Sequence, residues 1–168
     1  TRSLPWGMRK ADEAIQTLLR SEYALETGPQ TAEELKISLL SALGGTKLAV
    51  DVRGLDLNLS LPRTRGVEAE KLHAAVKPVV EDFCSLVHAV VRRAPTELAA
   101  DLVDSPIALT GGGASLFGLD KLIAERTGLS VLLPGDPAGC VARGLAAAVE
   151  NPDKFQSAAE TGATRLKS

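Results

Sequence analysis

The sequence predicts an α/β fold, and three observations carry that reading. A short apolar run, Ile107-Ala108-Leu109, enters three consecutive glycines, Gly111, Gly112 and Gly113, and a helical pattern starts directly after them. A second apolar stretch at residues 130–133 lies beyond that helix and its glycine cap at Gly128, so two strands that share one sheet flank one helix. Between residues 48 and 61 the period changes. Leu48, Val50 and Val52 alternate with Ala49, Asp51 and Arg53, and then Leu55, Leu57, Leu59 and Leu61 alternate with Asp56, Asn58 and Ser60. Strict alternation marks half-buried strands, and Gly54 between the runs suggests the turn of an antiparallel pair.

The other elements follow from spacing. Ala11, Ile15, Leu18, Leu19 and Tyr23 recur at helical intervals over 11–25, and Thr27-Gly28-Pro29 ends that helix by glycine cap and proline stop. Thr31 with Glu34 three residues on reads as a capping box opening a helix over 32–43 that stops at Gly44-Gly45. Pro62 closes the second alternating strand. A long helix over 68–93 carries the stripe Leu72, Val76, Val79, Val80, Phe83, Leu86, Val87, Val90 and Val91, and Pro78 inside it predicts a kink or a restart. Short helices follow over 95–102, 115–127 and 138–150, with Asp136 before Pro137 as N-cap of the last, and a small, polar tail runs from Asn151.

Composition bounds the function. A chain of 168 residues with 45% hydrophobic and 24% charged residues is a globular domain with a real core, and a start at Thr1 rather than Met points to a piece of something longer. A net charge of -2 and 3% aromatics argue against a nucleic-acid partner or a directly bound anionic membrane. Cys84 and Cys140 read as buried free thiols of a reducing compartment, and with neither an apolar leader nor an apolar run of spanning length a cytoplasmic chain is expected. His73 and His88 lack acidic or cysteine partners at ligand spacing, so no metal site is expected; Ser115 lacks the framing of a hydrolase nucleophile, so no catalytic residue is expected either. Arg63, Arg65 and Lys71 read as a solvated face or as part of a contact surface.

Strand, triple glycine and helix start together read as an anion cradle: glycines admit a ligand without a Cβ in the way, and helix N-terminal N–H groups face it. A tight turn without ligand fits the same residues. A P-loop is excluded, because Gly113 and Gly118 have its spacing but Leu119 and Asp120 stand where Lys and Ser/Thr are required. The dinucleotide fingerprint fails as well, with Leu116 where its third glycine belongs.

The series of motifs resembles the MreB family, bacterial actin homologues that determine rod shape. Thr31-Ala32-Glu33-Glu34-Leu35-Lys36-Ile37 resembles that family's Thr-Ala-Glu-x-x-Lys-Ile segment. The likeness continues through Val52-Arg53-Gly54-Leu55-Asp56-Leu57, Ser60-Leu61-Pro62 and Pro95-Thr96-Glu97-Leu98-Ala99-Ala100-Asp101 to the glycine segment, then Glu125-Arg126-Thr127-Gly128-Leu129 and Asp136-Pro137-Ala138-Gly139-Cys140-Val141-Ala142-Arg143-Gly144, collinear over roughly residues 8–150. It implies the second half of an actin-like fold, RNase H-like and of the Hsp70/actin ATPase kind, with a small inserted α+β subdomain. Residues 1–30 and 95–150, with part of the 68–94 helix, are expected to form the larger subdomain, 31–94 the smaller one with the nucleotide-contacting helix and two strands, and 151–168 a flexible tail.

The same resemblance implies ATP or ADP as ligand. Glu33 and Lys36 match the pair that contacts adenosine, and Gly111, Gly112, Gly113 and Ala114 match the loop wrapping the adenosine and phosphate side. On spacing alone Glu33 and Lys36 would be an ordinary solvated ion pair. The family's two aspartate-bearing phosphate loops are absent, so Mg2+ ligands are expected from a missing N-terminal half, and hydrolysis only when that half is joined. Trp6-Gly7-Met8 stands where the family has Gly-Gly and a polar residue, and the loop before Lys47 is short for the family. Implied partners are ATP, the N-terminal half, further copies along a protofilament and the cell-wall elongation machinery, with membrane contact only indirect. The alternative is a truncated, non-catalytic actin-like scaffold without nucleotide.

Overall fold

A computed structural model of the chain describes residues 2–39, 48–152 and 155. The predicted helix stop at Gly44-Gly45, the loop before Lys47 and nearly all of the tail lie outside the described residues.

Helix α1 (Arg9–Tyr23) ends earlier than predicted, because Ala24 takes the left-handed conformation (φ 49°) that glycine was expected to supply four residues later. Strand β1 (Leu25–Glu26) fills the interval, and helix α2 (Pro29–Leu39) starts with proline in its first turn. Thr31 is thus inside α2 and is no cap; the Ala32 N–H donates to the Gly28 carbonyl (3.2 Å) as the helix opens.

Strands β2 (Ala49–Asp56) and β3 (Leu61–Glu68) form an antiparallel pair in register from Ala49↔Glu68 to Asp56↔Leu61, with β1 on the other edge of β2. The predicted turn at Gly54 is wrong. Gly54 lies inside β2, where an added Cβ would run into the Glu26 carbonyl oxygen, so β1 can pair there only against glycine. The turn falls at residues 57–60, and Asp56 builds it: Oδ1 accepts from the Asn58 N–H (3.0 Å) and the Leu59 N–H (3.2 Å), and Ser60 takes φ 55°. Pro62 does not end a strand; it sits in β3, an edge strand, which tolerates a missing donor.

Helix α3 (Ala69–Val91) runs through Pro78 as one element, with no restart. Helix α4 (Thr96–Asp104) leads to strand β4 (Ile107–Ala108), which pairs in parallel with β5 (Val131–Leu132) across helix α5 (Leu119–Thr127); the two apolar runs predicted the shared sheet. Helix α6 (Cys140–Glu150) closes the described chain.

One core joins these layers. Ile15 and Leu19 of α1, Leu72 and Val76 of α3, Val52 and Val67 of the hairpin and Leu119 and Ile123 of α5 belong to a single buried cluster. Each large aliphatic side chain there contributes about 1.5–3 kcal/mol by leaving water. Cys84 is buried in it, and burial raises its thiol pKa, Glu81 adding to the rise while Arg126 opposes it. Cys140, predicted buried, is partly exposed and donates to the Asp136 carbonyl (3.2 Å). Helix α6 buries none of its residues.

Candidate functional site

The glycine turn leaves the parallel strand pair from Leu109, whose N–H donates to the Leu132 carbonyl (3.0 Å). Gly111 adopts φ 90°, a conformation that residues with a Cβ rarely take, and its N–H donates to the Pro137 carbonyl (2.8 Å). That donor is spent on the approach to α6 and does not face outward. A single 3-10 turn follows at Gly112–Ser115, with Ala114 buried beneath it and the Ala114 N–H on the Gly111 carbonyl (3.1 Å). Helix α5 begins only at Leu119, after an extended Leu116 and a left-handed Gly118 (φ 79°). The predicted helix over 115–127 is therefore too long at its start. Burial of Ala114 and Leu116 interrupts it, and residues 114–118 separate Gly113 from the start of α5.

What the turn offers is open backbone. Among the described residues, leaving out each glycine's chain neighbours, nothing stands within 4 Å of where a Cβ of Gly111 or Gly112 would lie. Gly113 is the opposite case, since a Cβ there would come within 2.5 Å of Met8 Cγ. The turn is thus uncovered over its first two glycines and packed under the third.

The Glu33–Lys36 pair is arranged differently from the solvated pair that spacing alone suggests. Glu33 is exposed on α2, whereas Lys36 is only 5% exposed. Lys36 Nζ lies 2.8 Å from Asp12 Oδ1 of α1, in an ion pair whose side chains are 6% and 10% exposed. Two charges so far from water are tolerable only together. Asp12 was missed in the sequence, although the signal was present: it occupies the same helical stripe as Ile15 and Leu19, where an acidic residue needs a buried partner. Among the described residues no hydrogen bond or ion pair joins Glu33 or Lys36 directly to the glycine turn.

The arginines of the hairpin are not a free solvated face. Arg63 Nη1 and Arg65 Nη2 each lie 3.1 Å from Asp56 Oδ2, whose side chain is 1% exposed, and Lys71 pairs with Glu22 at 3.0 Å. Burial works against the Asp56 carboxylate, but the N–H groups of Asn58 and Leu59, then Arg63 and Arg65, outweigh it and hold its pKa below the ordinary value. Asp136 caps the turn before α6 through the Gly139 N–H (3.0 Å) and holds Arg143 at 3.2 Å. Among the described residues no cluster of three or more His, Cys, Asp or Glu could hold a metal ion, and no helix is long and apolar enough to cross a membrane. A groove of about 840 Å³ between α3, α4 and β4, lined by Leu86, Val90, Leu98 and Ile107, includes none of the candidate residues.

Comparison with known proteins addresses the fold. The family model for MreB/Mbl protein matches residues 1–157. The cell shape-determining protein Mbl of Bacillus subtilis is 36% identical over 147 residues, which is 87% of this chain and 44% of that protein. The cell shape-determining protein MreB of Escherichia coli is 36% identical over 148 residues, covering 88% of this chain and 43% of that protein. The chain thus spans less than half the length of the curated relatives it matches. Among solved structures, MreB5 of Spiroplasma citri bound to ADP superposes with a TM-score of 0.80 at 25% identity, over 93% of this chain and 48% of that one. Its AMPPNP-bound form gives 0.79 at 24% over 94% and 48%, and a MamK double helical filament gives 0.62 at 19% over 80% and 42%. These neighbours bear out the predicted partial actin-like fold, and the chain belongs to the MreB/Mbl protein family.

Proposed function

We propose that the chain is the C-terminal half of an MreB-like, ATP-binding cytoskeletal protein whose filaments guide cell shape and cell-wall synthesis, and that it contributes the adenosine side of the nucleotide cleft. The observation that carries the reading is the turn from β4, uncovered over Gly111 and Gly112, in a chain that superposes on an ADP-bound relative. Gly111, Gly112, Gly113 and Ala114 would hold the nucleotide from one side, and Glu33 and Lys36 would offer an acceptor and a donor to ribose and adenine. Mg2+ and the water-orienting carboxylate belong to the N-terminal half in this reading, so the isolated chain does not hydrolyse ATP. Phosphoryl transfer needs that metal clamp and an oriented nucleophile.

The division into subdomains at 1–30 with 95–150 and at 31–94 is part of the same proposal, as are a cytoplasmic location, indirect membrane contact and partnership with the elongation machinery. Polymerisation draws support from the MamK filament neighbour. The N-terminal half has a face to cover: Val141, Leu145 and Val149 of α6, one turn apart, are 66%, 64% and 80% exposed. Titrating ADP into the 15N-labelled chain tests the nucleotide site. Saturable amide shifts confined to Gly111, Gly112, Gly113, Ala114 and the Glu33–Lys36 turn are expected, weakened in Glu33→Ala and Gly112→Val. Shifts absent, or unchanged by both substitutions, would favour a scaffold module that no longer handles nucleotide.

A further inference from the structure

Met8, Asp12 and Gln16 lie one helical turn apart, on one stripe that begins at the entry to α1. Each holds a different part of the proposed wall. Met8 packs so closely over Gly113 that no Cβ fits between them. Asp12 takes the buried ammonium of Lys36 at 2.8 Å. Gln16 donates from Nε2 to the Thr27 carbonyl (2.7 Å), at the entry to α2. The glycine turn and α2 are therefore joined through α1.

We propose that Asp12 is a positioning residue of the nucleotide wall, which neutralises Lys36 and links it through α1 to the glycine turn so that the wall reads the uncharged adenosine moiety and not phosphate. This deepens the function proposed above and rests on it. The chemistry is that of a compensated charge. An ammonium already paired with a buried carboxylate keeps its remaining N–H donors for a ribose or adenine acceptor, while the pair as a whole presents no net charge to an anion. Substituting Asp12 removes the compensation and frees Lys36 to turn toward negative charge.

The test compares adenosine and inorganic pyrophosphate as probes on the full 168-residue chain. In Asp12→Asn, adenosine affinity falls about tenfold, the value of one well-placed charge-assisted contact, while pyrophosphate affinity does not fall with it. In a Lys36→Met background the same substitution adds nothing, because Asp12 acts through Lys36. Ile15→Val, a core change one turn along α1, leaves the preference between the probes unmoved. Equal loss for both probes, or equal loss in both backgrounds, means that Asp12 only supports the fold and overturns the proposal, as does unchanged adenosine binding. A wild-type chain that binds no adenosine overturns the nucleotide reading itself. The ligand-free spectra test the mechanical link separately: Asp12→Asn shifts the Gly111, Gly112 and Gly113 amides, and if they stay in place the link through α1 is wrong.

Discussion

Asp56 shows how one side chain can decide a local structure. It is buried, it accepts two backbone N–H groups that shape the turn, and it anchors Arg63 and Arg65. Because its folded pKa lies below the unfolded value of about 3.9, its contribution is present above that pH and is lost as pH falls through the folded pKa. Denaturant melts of wild type and Asp56→Asn should differ most near neutral pH and converge in strong acid; a gap that stays constant with pH would show that the carboxylate charge is not the cause. Asp12 is the companion case at the site. Asp12 sits on an apolar helical stripe and Asp56 at a polar position of the strand alternation, and neither role was read from the sequence, because a partner such as Lys36, on another element, is visible only in three dimensions.

Among the elements, the β2–β3 hairpin separates what pattern reveals from what contact decides. The alternation over 48–61 announced two strands, but a period of two cannot say where one strand ends. Gly54 looked like the turn because glycine so often is one. Here it is glycine because the Glu26 carbonyl, Leu25 Cγ and Thr27 Cγ2 occupy the space a Cβ would need. Gly54→Ala is accordingly expected to cost at least about 1–3 kcal/mol, as overpacking does, and to loosen β1 from β2. Gly66→Ala is the control, since among the described residues a Cβ there meets only Asp51 Oδ1 at 4.0 Å. Equal stability of the two variants by chemical denaturation would rule this account out. The helices were more legible: the stripes of α1 and α3 are long enough for periodicity to identify them, and only their ends moved, α1 stopping where Ala24 turns left-handed.

At the scale of the whole molecule, the described chain is well cored on one side and open on the other. Helix α6 has eleven residues and buries none, and an isolated helix of that length is marginal in water. Hydrogen exchange in the chain alone should therefore be fast in α6 and slow in α1 and α3, with α6 slowing when an N-terminal half is added. Protection of α6 equal to that of α3 in the isolated chain would remove the reason to expect a covering half. By itself the sequence determined the α/β class, two strands of one sheet around one helix, the glycine turn and the family, because periodicity, glycine spacing and collinear motifs are local properties of the chain. Only the tertiary structure decided that Gly111 spends its N–H on Pro137, that Met8 closes over Gly113, and that Lys36 belongs to Asp12. Those pairings join residues far apart in sequence, and which buried charge meets which partner follows from how α1, α2 and the glycine turn pack, not from any spacing along the chain.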